Sequence, residues 1–323
     1  MIKYSKIFII VLVIISFIVS WVFIFFLLHM LLEADLSLKP VYRQTTKSLG
    51  TSLYLVSYAD GPEVFFKNRN ILAYSAINRG VDFIYNYRRS HIDPEFIAKN
   101  PILNEPVGAG FWLWKPYLIL KTLESIPEGA LLLYADSGLL IRQSIREFID
   151  AGFSDPKKSI LLFSYDPEIY KLAGSVANGD VFDALGCRHD RCRKGPHVWA
   201  GILVVKNTPE GRKFIKDWLD GCCDTDLVMG TNLKSSNYPE FLYHQHDESI
   251  LSVLGSRETD LVKFIKMDKT FFEYFYMHRR KTAAQDVSLV GFTNMDLTRF
   301  ERKLLNRPVI KQLRYLAKKI FEK

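Results

Sequence analysis

The chain has 323 residues, 48% of them hydrophobic and 14% aromatic, with a formal net charge of +8. So large a hydrophobic share supports a sizeable core and excludes a disordered or low-complexity chain, and no repeat period points to a solenoid. The positive balance suits anionic partners such as nucleotide diphosphates or phospholipid headgroups; no nucleic-acid partner is expected, because much of the charge gathers in the tail after Gly291.

In chain order, residues 7–32 are almost continuously apolar, longer than the roughly 20 residues that cross a bilayer as a helix. A signal peptide would show a shorter apolar core and a small-residue cleavage site. Residues 1–35 are therefore read as a tail and a single membrane-spanning anchor, with the bilayer as a partner. Lys3 and Lys6 before the run nearly balance Lys39, Arg43 and Lys47 after it, so charge leaves two orientations open. One places the globular part in a Golgi-type lumen if the cell is eukaryotic, and the other in the cytosol. Residues 36–50 form a short polar stem.

The globular part is read over residues 51–290. A strand over 52–57 stops at the turn signal Tyr58, Ala59, Asp60, Gly61; a helix over 68–78 and a strand over 81–85 follow, an order that predicts parallel pairing. Residues 91–110 form a Pro- and Asn-containing loop of the kind that covers a site. Pro116 opens a helix over 116–123, and the apolar run 130–135 predicts a buried strand that ends abruptly at Asp136, Ser137 and Gly138. Beyond it come a helix over 144–151, a strand over 159–164, a helical turn over 179–185, an irregular basic stretch over 186–196, a strand over 201–205, and helices over 210–219 and 248–254. Cys187 and Cys192 are close enough in sequence to pair, although four cysteines also fit a reduced protein, and their spacing with His189 matches no standard zinc pattern. In the tail, residues 291–323, Ile310, Leu313, Leu316 and Ile320 recur at helical spacing among basic residues. That basic amphipathic helix suits a membrane interface and a docked, solvated position equally.

A buried strand that stops at a carboxylate presents it at the sheet's carboxyl edge, where open α/β sheets bind ligands. Asp136 is accordingly a candidate ligand for magnesium or manganese, with a bound diphosphate supplying further oxygens; a turn-forming aspartate is the structural alternative. Lys115, beside Trp112, Trp114 and Tyr117, is costly to bury without an anion and is read as a phosphate contact. Ser57, Tyr58 and Asp60 close the first strand, where a nucleotide base and ribose bind in a Rossmann-like half. His246, Asp247 and Glu248 concentrate titratable groups before a helix. Asp247 there is either a helix-capping acid or a base for an acceptor hydroxyl, with Glu248 second. His278 with Arg279 and Arg280 is either a metal ligand beside two phosphate cations or a solvated basic turn. No dinucleotide-binding glycine motif, P-loop, serine-hydrolase elbow or zinc-protease motif occurs.

Several segments together resemble a family of A-type-fold (GT-A) glycosyltransferases found among polysaccharide-biosynthesis proteins. The aromatic-Trp-Lys-Pro-Tyr run of residues 111–117 precedes a Tyr-x-Asp-x-Gly strand end at Tyr134, Asp136 and Gly138; residues 53–60 resemble the family's first strand, residues 199–207 with 214–218 its later strand and helix, and residues 244–249 its His-x-His-Asp-Gln-Ser signature. The resemblance spans most of residues 51–281. It implies an α/β, Rossmann-like fold with a mostly parallel sheet flanked by helices, and transfer of a sugar from a nucleotide diphosphate sugar to a hydroxyl of a glycan or other acceptor. It also implies donor binding by Ser57, Tyr58, Asp60, Lys115, Asp136, Arg279 and Arg280, a divalent metal on Asp136 and His278, and catalysis by Asp247, Glu248 and His246. Gly138 replaces the second carboxylate usual in A-type transferases, and Glu248 replaces the family's Gln. Those departures also suit a catalytically decayed binding relative, and a membrane-anchored phosphotransferase would use the same Asp136 and basic groups.

Overall fold

The computed structural model describes residues 16, 17, 19–23, 51–166 and 172–277. Strand β1 (Leu53–Tyr58), helix α1 (Glu63–Ala76) and strand β2 (Phe83–Tyr87) form the expected strand-helix-strand unit. Helix α2 (Trp114–Ser125) leads into β3 (Leu131–Ala135); β4 (Leu139–Ile141) follows, then β5 (Ile160–Ser164), β6 (Val198–Lys206), helix α3 (Pro209–Cys223), helix α4 (Asp247–Arg257), β7 (Val262–Lys266) and β8 (Phe275–Met277).

Six strands make one sheet in the order β2-β1-β3-β6-β5-β7, and β4 pairs with β8 in a small second sheet. β1 is parallel to β2 and β3, and β5 to β7, while β6 is antiparallel to both its neighbours. Five strands thus share one direction and β6 opposes them. This mixed α/β sheet, mostly parallel, fits the expected A-type architecture. The reversal of β6 was not legible, because a both-faces-buried strand reads as the same apolar run in either direction.

Alternation along β1 divides the core. Tyr54, Val56 and Tyr58 join the layer built on α2 and α3, whereas Leu53 and Leu55 join the layer under α1. Every residue of β3 is buried, because helices cover both sheet faces. Pro209 begins α3, where its missing N–H costs nothing, and the Thr208 hydroxyl accepts a hydrogen bond from Gly211 N at 3.0 Å.

The reversal of β6 matters for the site. Its register pairs Ala135 with Ile202, and Asp136 N donates to Gly201 O at 2.8 Å, so the amino-terminal end of β6 meets the carboxyl end of β3 at one edge. The loop expected over 91–110 contains a helix, Pro94–Lys99, and shorter helical turns, since local i-to-i+3 bonds satisfy its backbone. The stretch 186–196 carries a helical turn, Asp190–Arg193, and a Cys187–Cys192 disulfide.

Among the described residues no helix is long and apolar enough to cross a membrane. The apolar run 7–32 lies mostly outside them, and so do the tail 291–323, His278, Arg279 and Arg280.

Candidate active site

A cleft of about 1050 Å³ opens at the carboxyl edge of β1 and β3, and its lining includes Tyr58, Asp60, Lys115, Asp136, Asp247 and Glu248. Four elements distant in sequence therefore bring six of the predicted residues together.

Asp136 follows the last residue of β3. The Tyr134 hydroxyl, two residues back on the same strand, donates to Asp136 Oδ1 at 2.5 Å. Burial, then the Asp136 charge, push the Tyr134 phenol well above its ordinary range, so it remains a donor. The other oxygen of Asp136 has no partner among the described residues and belongs to a side chain on the cleft wall.

Deeper in, Lys115 Nζ donates to Asp247 Oδ2 at 2.9 Å, with side-chain exposures of 3% and 5%. The rings of Tyr134 and Trp114 lie 5.5 and 5.8 Å from the ammonium, a favourable place for a cation. The anion that makes burial of Lys115 tolerable is therefore a carboxylate of the same chain. Burial pushes Asp247 up to about 7 against the pull of Lys115, and Glu248 and Asp136 add repulsion. Burial also opposes the charge on Lys115, but Asp247, Asp136 and Glu248 overcome it and raise its pKa. One cation faces three carboxylates, which is why the lysine stays charged while the aspartate becomes easy to protonate.

Asp247 is the first residue of α4 and makes no capping hydrogen bond. The Ser249 hydroxyl ties down the chain just before the helix, accepting from Gln245 N at 2.7 Å and donating to Val176 O at 2.5 Å. The carbonyl of Asp247 is fixed by the Trp218 indole N–H at 2.9 Å. Glu248 spends both oxygens on the wall, accepting from His197 Nε2–H at 2.7 Å and from Ala200 N at 3.0 Å. It ties α4 to β6 with one hydrogen bond on each oxygen while still lining the cleft.

Two predicted residues do not face the cleft. Strand alternation turns Ser57 away, fully buried on the α1 side, with its register partner Asn86 beside it. His246 packs behind the wall: its Nδ1–H donates to Val228 O at 3.0 Å, and its ring stacks on Trp112. Burial lowers its pKa, so the imidazole is neutral. At the other end Tyr58 stacks on Trp114 at 4.0 Å and donates to Asp60 Oδ2 at 3.1 Å; burial, then Asp60, raise its pKa. Tyr134, Trp218 and His197 were not foreseen as site residues. Only Tyr134 carried a signal, its two-residue spacing from Asp136, which places both on one face of a strand.

No family model and no curated protein matches the sequence. Similar solved structures include a glycosyltransferase involved in glycosylation of the major capsid of PBCV-1, 12% identical over 75% of this chain and 99% of that one, with a TM-score of 0.41. Another is the galactosyltransferase LgtC in complex with donor and acceptor sugar analogs, 13% identical over 77% and 99%, TM-score 0.42. A third is mouse xyloside xylosyltransferase 1, 10% identical over 77% and 94%, TM-score 0.39. With TM-scores below 0.5 these likenesses assign no activity to this chain.

Proposed function

We propose that the chain is a glycosyltransferase that moves a sugar from a nucleotide diphosphate sugar to an acceptor hydroxyl. The observation that carries this reading is the convergence, in one cleft, of a strand-end carboxylate with an open oxygen, Asp136, and a buried carboxylate poised near neutrality, Asp247. The acceptor oxygen bonds to the anomeric carbon, its proton passes to an Asp247 oxygen, and the bond from that carbon to the diphosphate breaks, the electron pair leaving with the diphosphate. Lys115 holds Asp247 in place. Tyr58, Asp60 and Trp114 shape the end of the cleft assigned to the nucleoside.

Asp136 is a hard oxygen ligand suited to magnesium or manganese, but the described residues form no three-ligand set around it. A metal there would lean on donor phosphate oxygens and on residues such as His278, and when bound would neutralise charge on the leaving diphosphate. The missing second carboxylate and Glu248 in place of Gln are the features that favour a decayed, binding-only relative. Anchoring by residues 1–35 is part of the proposal, supported by the apolar run and by the exposed, helical Phe17, Trp21 and Phe23.

The deciding experiment offers the full chain in detergent a panel of UDP- and GDP-sugars, with and without manganese. Hydrolysis of one donor, lost in Asp136→Ala with the thermal midpoint unchanged, is the expected result. Thermal stabilisation by a donor with no turnover under any condition would favour the binding-only relative. Wild-type turnover in Asp136→Ala would remove that residue from the site.

A further inference from the structure

Two stretches of backbone beside the cleft hold conformations that side chains disfavour, and they press on each other. Residues 108–112 all have positive φ: 56° at Gly108, 51° at Ala109, 100° at Gly110, 50° at Phe111 and 60° at Trp112. They form one left-handed helical turn, closed by Phe111 N to Val107 O at 2.7 Å. His246 lies at φ 54°, ψ −124°, a region that suits glycine. Such backbone persists only where its surroundings over-determine it.

Here the surroundings can be named. The Trp112 indole stacks on the His246 ring, centroids 5.7 Å apart and planes 23° apart, and Phe111 meets the same ring edge-on at 4.9 Å. Gly108 lies so close under the indole that an added Cβ would sit 2.5 Å from it. The third constraint is the hydrogen bond from His246 Nδ1–H to Val228 O. One residue further on stands Asp247, its carbonyl held by Trp218 and its carboxylate by Lys115.

We propose that His246 is a positioning residue: clamped by Trp112, Phe111 and the Val228 carbonyl, its imidazole holds the backbone turn that presents the Asp247 carboxylate to Lys115 and the cleft. This rests on the reading of Asp247 as the base, and it assigns His246 no proton transfer. The indole lines the cleft from its own side, so the wall a ligand touches and the turn that aims the carboxylate are one packed unit.

The test follows the titration of the Asp247 carboxyl by carbon-13 NMR in the full chain with labelled aspartate, using Asp247→Asn to assign the resonance. The groups facing Asp247 are Lys115 from α2, Tyr134 and Asp136 from β3, Cys222 from α3 and Glu248 from its own helix, so the midpoint reports its place among them. His246→Gly removes the ring and relieves the φ strain at that position, and its thermal midpoint, measured beside the titration, checks that it folds; His246→Phe keeps a ring to clamp. The expected midpoint stays near 7 in the wild type and in His246→Phe, and falls by roughly two pH units in His246→Gly as the carboxylate swings toward water. On the donor found in the panel, turnover should fall at least about tenfold in His246→Gly with donor KM within about twofold, and stay within about threefold in His246→Phe. An unmoved midpoint in His246→Gly, or equal losses in both variants, would overturn the clamp. Full turnover in Asp247→Asn would instead remove the base, and the titration would still decide the clamp.

Discussion

Lys115 and Asp247 form one buried pair that bears on stability and, in the proposed reaction, on chemistry. Because burial raises the Asp247 carboxyl from an ordinary 3.8 to about 7, the folded state binds its proton more tightly than the unfolded chain does. The stability this group contributes is therefore complete below about 3.8 and lost as pH rises through 7. In the proposed reaction turnover runs the other way, since a base works only when ionised. Turnover should rise through pH 7 and level off, and denaturant unfolding should show stability falling over the same interval; a flat wild-type rate profile from pH 5 to 8 would contradict the base. Removing one partner of a buried pair costs about 3–5 kcal/mol when the other stays charged. Lys115→Met also removes the pull that holds Asp247 near 7, so its carboxyl should titrate higher and the loss should be larger at pH 8 than at pH 6, yet stay below that range because Asp247 takes a proton. In a double-mutant cycle, Lys115→Met with Asp247→Asn should cost less than the sum of the two single changes, and simple additivity would mean that the pair is not coupled.

At the scale of elements, the left-handed turn carries the most informative local conflict. Ala109, Phe111 and Trp112 each hold a left-handed conformation that costs roughly 1–2 kcal/mol for an L-residue, about 3–6 kcal/mol in all. Burial of Phe111 in the core, and the hydrogen bond from Trp114 Nε1 to Gly108 O at 2.9 Å, offset it. Ala109→Gly should raise unfolding stability by about 1 kcal/mol, since it releases one of these penalties. Gly110→Ala should lower it by at least about 2 kcal/mol, because a Cβ there would lie 2.5 Å from Leu103 Cα. Denaturant titration of both variants decides; a loss of stability in Ala109→Gly would mean the turn is not strained. The sequence predicted an aromatic run leading into a helix, and it could not predict this turn, because left-handed Phe and Trp are against local preference and are held only by packing from Leu103, Trp114 and His246. β1, β3, α1 and α3 were legible because their patterns agree with their final environments. β7 was not, since Val262–Lys266 is a half-exposed edge strand with two lysines.

At the scale of the whole molecule, the α/β unit is flanked in sequence by an apolar amino-terminal run and a basic tail. Deleting residues 1–35 should release the chain from carbonate-washed membranes without abolishing donor hydrolysis, and a truncated chain that still pellets would locate the attachment elsewhere, the basic tail first. Sequence by itself determined the class of fold, the strand that ends at Asp136, the cluster before α4 and the apolar amino-terminal run, because each is written in residues close together whose periodicity and turn chemistry are local. Tertiary structure alone decided the antiparallel run of β6, which carries Gly201 to Asp136, and the partners of the predicted residues: Asp247 for Lys115, His197 and Ala200 for Glu248, Trp112 and Val228 for His246. The physical reason is separation. Lys115 and Asp247 lie 132 residues apart, and no local pattern encodes which charge meets which when helices from opposite ends of a domain pack against one sheet.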